Sequence, residues 1–340
     1  MKIIIDAFGG DNAPLAPLAG AAAAVREYGV EILAVGDEEK IRACAAENGI
    51  SLEGIALRDA KDIITMEDDA TDILKKKPDS SMAVGLKLLA AGEGDAFVSA
   101  GSTGALLVGA TGFVKRIKGV KRAALATQLP GRNNSFLLLD CGANVECRPE
   151  MLAQFGLLGS IYMEKVAGRP SPRVCLVNNG AEETKGTPTV MAAYRLLQEM
   201  PGIRFGGNVE ARDIPDGDAD VVVADGFTGN VVLKLTEGVA SFLTGNLKEM
   251  FYSGLKHKLA ALLVKDGLRE FKAKMDYSEY GGAPLLGIAR PVIKAHGSSN
   301  AKAFKNAIRQ ARDFAASGAN EIIAAELAKQ RQEAAADEDK

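Results

Sequence analysis

Short, unbroken runs of branched apolar residues, each ending in a glycine-rich turn, restrict the fold of this chain more than any other feature. Ile3-Ile4-Ile5 leads into Gly9-Gly10, Phe97-Val98 into Gly101, and Val221-Val222-Val223 into Gly226. A strand with one wet face alternates apolar and polar residues, whereas a continuous run marks a strand covered on both faces, as in parallel sheets. Helical patterns fill the intervals, at Ala19 to Tyr28, Met82 to Ala91 and Met191 to Met200. The alternation predicts an α/β fold with a mainly parallel sheet flanked by helices. No Pro- or Ser-rich linker and no repeat divides the 340 residues cleanly, so one large domain and two coupled ones are both open, the single-domain reading spanning 1–328. The polar run KQRQEAAADEDK from Lys329 predicts a flexible tail over 329–340.

Composition narrows the function. With 47% apolar and 25% charged residues the chain has the balance of a globular protein with a sizeable core. A net charge of −3 argues against a nucleic-acid partner, which calls for a basic excess. Cys44, Cys141, Cys147 and Cys175 form no CxxC or zinc-type spacing, so free thiols and no metal site are expected. Asp6 interrupts the first apolar run before any signal-peptide core develops, and no stretch approaches the ~20 apolar residues of a membrane span. A cytoplasmic protein, attached at most to a membrane surface, is expected.

Three loops suit an anion. Ser99-Ala100-Gly101-Ser102-Thr103-Gly104-Ala105, Asp225-Gly226-Phe227-Thr228-Gly229-Asn230 and His296-Gly297-Ser298-Ser299-Asn300 each join glycine to hydroxyl or amide residues ahead of a helical pattern. Glycine admits a ligand to the backbone amides, and the helix start adds partial positive charge. Each loop taken alone also reads as a turn with a capping side chain. None matches GxxxxGK[ST] or a strand-anchored GxGxxG, so nucleotide binding has no motif support. Lys185 lies in a fourth loop, Asn178 to Pro188, placed to meet a phosphate or a developing oxyanion or simply solvated. Of the two histidines, His257 stands between Lys256 and Lys258 on a basic surface, and His296 suits capping or phosphate contact. No GxSxG nucleophile elbow is present.

Asp6-Ala7-Phe8-Gly9-Gly10-Asp11-Asn12-Ala13-Pro14 resembles the DxxGGDxAP signature of the PlsX family, bacterial acyltransferases that move an acyl group from acyl carrier protein to phosphate. The likeness continues in order through GSTGA at 101–105, LDCGANVECRPE at 139–150, EETKGTP at 182–188, DGFTGN at 225–230, YGGAPLLGI at 280–288 and HGSSNAKAFKNAI at 296–308. Cys141 departs from an expected valine, which argues against a catalytic thiol there.

The resemblance implies a fold related to phosphate acetyltransferases and isocitrate dehydrogenases, a homodimer, and a cytoplasmic enzyme docked on the inner membrane face. It implies acyl carrier protein as donor, inorganic phosphate as acceptor, and a downstream membrane acyltransferase that acylates glycerol 3-phosphate. Lys185 and Asn230 are the expected catalytic residues. Expected phosphate or substrate contacts are Asp6, Asp11 and Asn144, the loop Gly101, Ser102, Thr103 and Gly104, and the turn of His296, Ser298 and Ser299. Phosphate is already an oxygen nucleophile and a thioester an activated donor, so positioning and oxyanion stabilisation suffice, and no cofactor is required. A transferase of small acyl groups from coenzyme A and a non-catalytic membrane-surface adaptor are the competing readings.

The segment after Asn230 has its own pattern. Val239, Phe242, Leu243, Leu247 and Met250 mark one helical face, Leu255, Leu259, Leu262 and Leu263 a second, and Val264, Leu268, Phe271 and Met275 a third. Gly254 and Gly267 fall where the stripes change, which predicts a projecting helical hairpin over about 236–276. Between Lys248 and Lys274 seven Lys or Arg face three acids, a local +4. Basic charge beside leucines, with Leu255, Lys256, Lys258, Leu259, Leu262 and Leu263 as contacts, predicts docking on an anionic membrane surface, packing in a dimer, or both.

Overall fold

The computed structural model describes residues 1–275 and 281–338. Asp276 at the expected hairpin end, Tyr280 of the YGGAPLLGI motif and the last two residues of the tail lie outside the described residues. So do the side chains of Lys272, Lys274 and Met275.

The expected strands form and join one 11-stranded sheet. Its first block contains β1 (Lys2–Asp6), β2 (Glu31–Gly36), β3 (Ile55–Asp59), β4 (Ala96–Ser99) and β11 (Val292–Lys294), all parallel. Its second block contains β6 (Phe136–Leu139), β7 (Arg173–Asn178), β8 (Arg204–Glu210) and β9 (Val221–Val223), again parallel. Between them lie β5 (Ala124–Leu129) and β10 (Ala283–Leu286). The order across the sheet is β3-β2-β1-β4-β11-β10-β5-β6-β9-β7-β8.

The unbroken runs are explained by burial on both faces. Ile3 and Ile5 enter one core layer and Ile4 the other; Leu137 and Leu139 part from Leu138, and Val221 and Val223 from Val222, in the same way. The first layer is closed by α1 (Leu15–Tyr28), α6 (Pro149–Lys165), α11 (Ala301–Ala316) and α12 (Ala319–Glu338), and the second by α4 (Ser81–Ala90) and α5 (Thr103–Gly109). Each fully buried Leu, Ile or Phe contributes roughly 1.5–3 kcal/mol.

The block order has a consequence for the site. The pairings of β11 with β10, β10 with β5 and β5 with β6 are all antiparallel, an odd number of reversals, so the second block runs opposite to the first. β10 divides itself: Ala283 and Pro284 pair with β11, whereas Leu285 and Leu286 pair with the start of β5. Each block therefore presents its carboxyl ends toward this seam.

The remaining helices are α2 (Glu38–Glu47), α3 (Asp72–Lys75), α7 (Pro188–Glu199), α8 (Gly226–Tyr252), α9 (Leu255–Leu263) and α10 (Lys265–Met275). The expected hairpin begins earlier than its apolar stripe suggested, because α8 is one continuous helix of 27 residues from Gly226. Its first break, at Ser253-Gly254, lies where the stripe changes, and the hydroxyl of Ser253 meets His257 Nδ1 at 2.7 Å. The second break lies at Val264, while Gly267 sits inside α10. The polar run from Lys329 continues α12 as helix to Glu338.

Candidate active site

Each of the three anion-type loops caps a helix. The Ser102 hydroxyl accepts from Ala105 N at the start of α5, the Asp225 carboxylate from Thr228 N at 2.7 Å at the start of α8, and the Asn300 side chain from Ala303 N at 3.0 Å at the start of α11. Capping does not exclude a site. Thr103, Asn230, His296 and Ser299, drawn from all three loops, line a single cavity of about 360 Å³ at the seam. Gly142 after β6, Leu125 on β5 and Gly282 before β10 complete its walls.

Tight stitching holds the first block's loops together. Asp11 N donates to Gly297 O at 2.8 Å, and Asn12 Nδ2 donates to the carbonyls of Ser298 and Ser299 at 3.1 and 3.2 Å. Gly10 has φ +96°, and a Cβ there would lie 2.8 Å from that of Ala100, so only glycine lets the two loops touch. Asp6 closes the end of β1 from inside. It accepts from the hydroxyls of Ser81 and Ser99, each at 2.7 Å, while burial pushes its carboxyl up from the usual range.

Asp140 plays the matching part at the end of β6. It accepts from the amides of Leu125, Ala143 and Asn144, and burial again pushes its carboxyl up. Asn144 is fully engaged around it: Nδ2 donates to Ala123 O and to Asp140, both at 2.8 Å, and its carbonyl accepts from Gly226 N at 2.7 Å. This anchors α8 onto the loop after β6. A Cβ on Gly229 would come within 1.9 Å of Asp140 O, so glycine there is what allows the helix to present Asn230 to the cavity.

The expected residues thus separate into groups. Thr103, Asn230, His296 and Ser299 meet in the cavity wall. The Ser298 hydroxyl orients His296 through Nδ1 at 2.9 Å, and Gly101 N donates to Ser99 Oγ at 3.0 Å. Asp6, Asp11 and Asn144 hold the surrounding loops, and Gly104 packs within α5 near Ala70. Lys185 is exposed in the loop after β7 and is not part of the cavity wall. There its amide donates to Glu182 O and its carbonyl accepts from Asn178 Nδ2. Because β7 neighbours β9 in parallel, this loop and the start of α8 lie at the same end of the second block.

Sequence reasoning passed over Lys294. It ends β11, is 8% exposed, and lines the cavity. A lone lysine closing the run Val292-Ile293 was the available signal. Cys141 also reaches the wall, but burial pushes its thiol up to about 12, and Cys147 is pushed up to about 12 in the same way. Neither supplies a thiolate near neutral pH. Among the described residues no group of three or more His, Cys, Asp or Glu is placed to hold a metal ion.

The model of the family described as fatty acid synthesis protein matches residues 1–322. The chain belongs to this family. Phosphate acyltransferase of Alkaliphilus oremlandii is 50% identical over 314 residues, 92% of this chain and 93% of that protein. Phosphate acyltransferase of Clostridium acetobutylicum is 48% identical over 312 residues, 92% and 94% of the two chains. Among solved structures, a phosphotransacetylase from Streptococcus pyogenes aligns with a TM-score of 0.64 at 18% identity, covering 93% of this chain and 94% of that one. EutD phosphotransacetylase from Staphylococcus aureus aligns with a TM-score of 0.60 at 17% identity over the same shares. These two share the fold.

Proposed function

We propose that the protein is an acyltransferase that passes a fatty acyl group from acyl carrier protein to inorganic phosphate, yielding acyl phosphate for phospholipid synthesis. One observation carries the reading: hydroxyl, amide and imidazole groups from both sheet blocks converge on one cavity whose thiol is held protonated. Such a site binds and orients an external nucleophile. Relatives at 50% and 48% identity that bear the name phosphate acyltransferase support it.

In the reaction an oxygen of hydrogen phosphate attacks the thioester carbon, the C–O bond forms, and the C–S bond breaks with its electron pair leaving on sulfur. The proton of hydrogen phosphate ends on that thiolate. Thr103 and Ser299 hydroxyls bind phosphate oxygens, His296 adds a third contact set by Ser298, and the Asn230 amide donates to the carbonyl oxygen as it becomes an oxyanion. Lys185 adds positive charge at the mouth of the second block.

The arm formed by α8 beyond Asn230, α9 and α10 serves attachment. None of residues 231 to 271 is buried; Leu255 is 87% and Leu263 82% exposed, beside Lys256 and Lys258. No described helix is long and apolar enough to cross a membrane. Leucines entering an anionic leaflet beside basic residues give reversible docking, at about 1 kcal/mol per basic residue. Other apolar positions of the arm, Phe242 and Leu243 on α8, seat a second copy in a homodimer, and docking places the acyl phosphate near the membrane acyltransferase that consumes it.

The deciding assay supplies palmitoyl carrier protein, with and without phosphate, and traps acyl phosphate as hydroxamate. Phosphate-dependent product is expected. Product from acetyl coenzyme A alone would move the reading to small acyl groups, and no product from any thioester would leave a membrane-surface adaptor.

A further inference from the structure

Lys294 is the buried cation that the scheme above does not use. Its Nζ donates to Ala100 O at 3.2 Å and to Ala295 O. An ammonium carries three N–H donors. Two carbonyls fix the group, and among the described residues the third donor meets no protein acceptor. No described carboxylate forms an ion pair with it either: Asp6 is turned to Ser81 and Ser99, and Asp11 acts through the field alone. A buried charge without an ionic partner is costly, by several kcal/mol in typical cases, and is retained where a ligand completes it. Lys294 shares its wall with Thr103, Ser299 and Asn230, the groups next to which an anion would lie.

We propose that Lys294 is a phosphate-binding residue, its ammonium donating into the cavity to an oxygen of inorganic phosphate. This rests on the acyl-transfer reading and names the cation within it. Lys185, by contrast, is exposed and outside the wall. Burial lowers Lys294 to about 8, so it is charged at neutral pH and loses its charge in mild alkali. The other ionisable groups facing the cavity or the lysine are Asp6 and Asp11 from β1 and its loop, His296 beyond β11, Cys141 after β6, and Lys234 and Glu237 on α8.

Steady-state kinetics with an acyl carrier protein thioester and inorganic phosphate test the assignment. Lys294→Met should raise KM for phosphate at least about tenfold while KM for the thioester stays within about twofold. In the unaltered enzyme KM for phosphate should climb above about pH 8, where phosphate itself remains a dianion, and the Met variant should lose that climb. An unchanged phosphate KM, or an equal rise in both constants, overturns the proposal. If the variant does not fold, calorimetric titration of the unaltered protein with inorganic phosphate at pH 7.5 and 9.5 decides. Binding roughly tenfold weaker at the higher pH supports the lysine, and equal affinity removes it. A native enzyme that makes no acyl phosphate sinks the transferase reading, whereas an active one with no effect at Lys294 sinks only this inference.

Discussion

The first turn of α8 and the rest of the same helix obey opposite rules. Over Gly226 to Asn230 the backbone is pressed against Asp140 and Asn144, with Gly226 and Gly229 buried. Beyond it the helix carries Val239, Phe242, Leu243 and Met250 in the open, each at least 46% exposed. Hydrophobic periodicity is equally good in both α8 and the buried helices, so it reports that a partner exists and not which one. In the first turn the partner is the protein's own loop; along the arm the described residues leave the apolar face uncovered, and the partner proposed for it is a membrane surface or a second copy.

Substitutions should divide along this boundary. The largest effect is expected from Asn230→Ala, which removes one donor to the oxyanion: about a hundred- to thousandfold in kcat, roughly 3–4 kcal/mol, with an unchanged melting temperature. Equal losses of activity and stability would instead make Asn230 a packing residue. The two sorts of lysine sharpen the contrast. Lys294 has a folded-state value lowered to about 8 from 10.5, so between those limits the unfolded chain holds a proton that the folded one has released. Stability therefore rises with pH across that window, by up to roughly 3 kcal/mol, and Lys294→Met should flatten the rise. Replacing exposed Lys256 should not, and thermal melts from pH 7.5 to 10.5 compare the two.

Next in size is Gly229→Ala. Its added methyl collides with the Asp140 carbonyl, so the helix must shift at a cost of about 1–3 kcal/mol, read in urea melts, and carries Asn230 out of register with the cavity. Smallest in its effect on the fold is Leu259→Glu with Leu263→Glu. Stability should change by less than about 0.5 kcal/mol and acyl-phosphate synthesis in solution should persist, while sedimentation with anionic vesicles is lost. A double variant that still binds vesicles, or that turns monomeric, would reassign the face to dimer packing. High salt should weaken vesicle binding only in part, since it screens lysines but not leucines.

Much of this architecture is legible in the chain. Ile3 to Ile5 and Val221 to Val223 announce strands covered on both faces, and Asp225 to Asn230 announces a capped helix start, which brings Asn230 to the cavity wall. Three things were not legible. The reversal between blocks depends on β10, whose residues Ala283-Pro284-Leu285-Leu286 carry no mark of pairing with two different partners. Lys294 is hidden because a lysine that closes a run such as Val292-Ile293, though a signal, still reads as a surface lysine until the neighbouring elements bury it. Lys185 and Asn144 are both expected site residues in loops, and only packing shows one exposed and the other fastened to Asp140 and Ala123.

The divided pairing of β10 also sets the cavity across two blocks that share one strand. Two of its residues pair with β11 and two with β5 at the very place where the cavity opens, while both core layers run on from one block into the other. The walls on either side come from different blocks, Thr103, Lys294 and Ser299 from the first and Gly142 and Asn230 from the second. Whatever molecule touches both banks at once therefore adds a tie across the seam, and occupancy of the cavity raises the stability of the whole sheet by mass action.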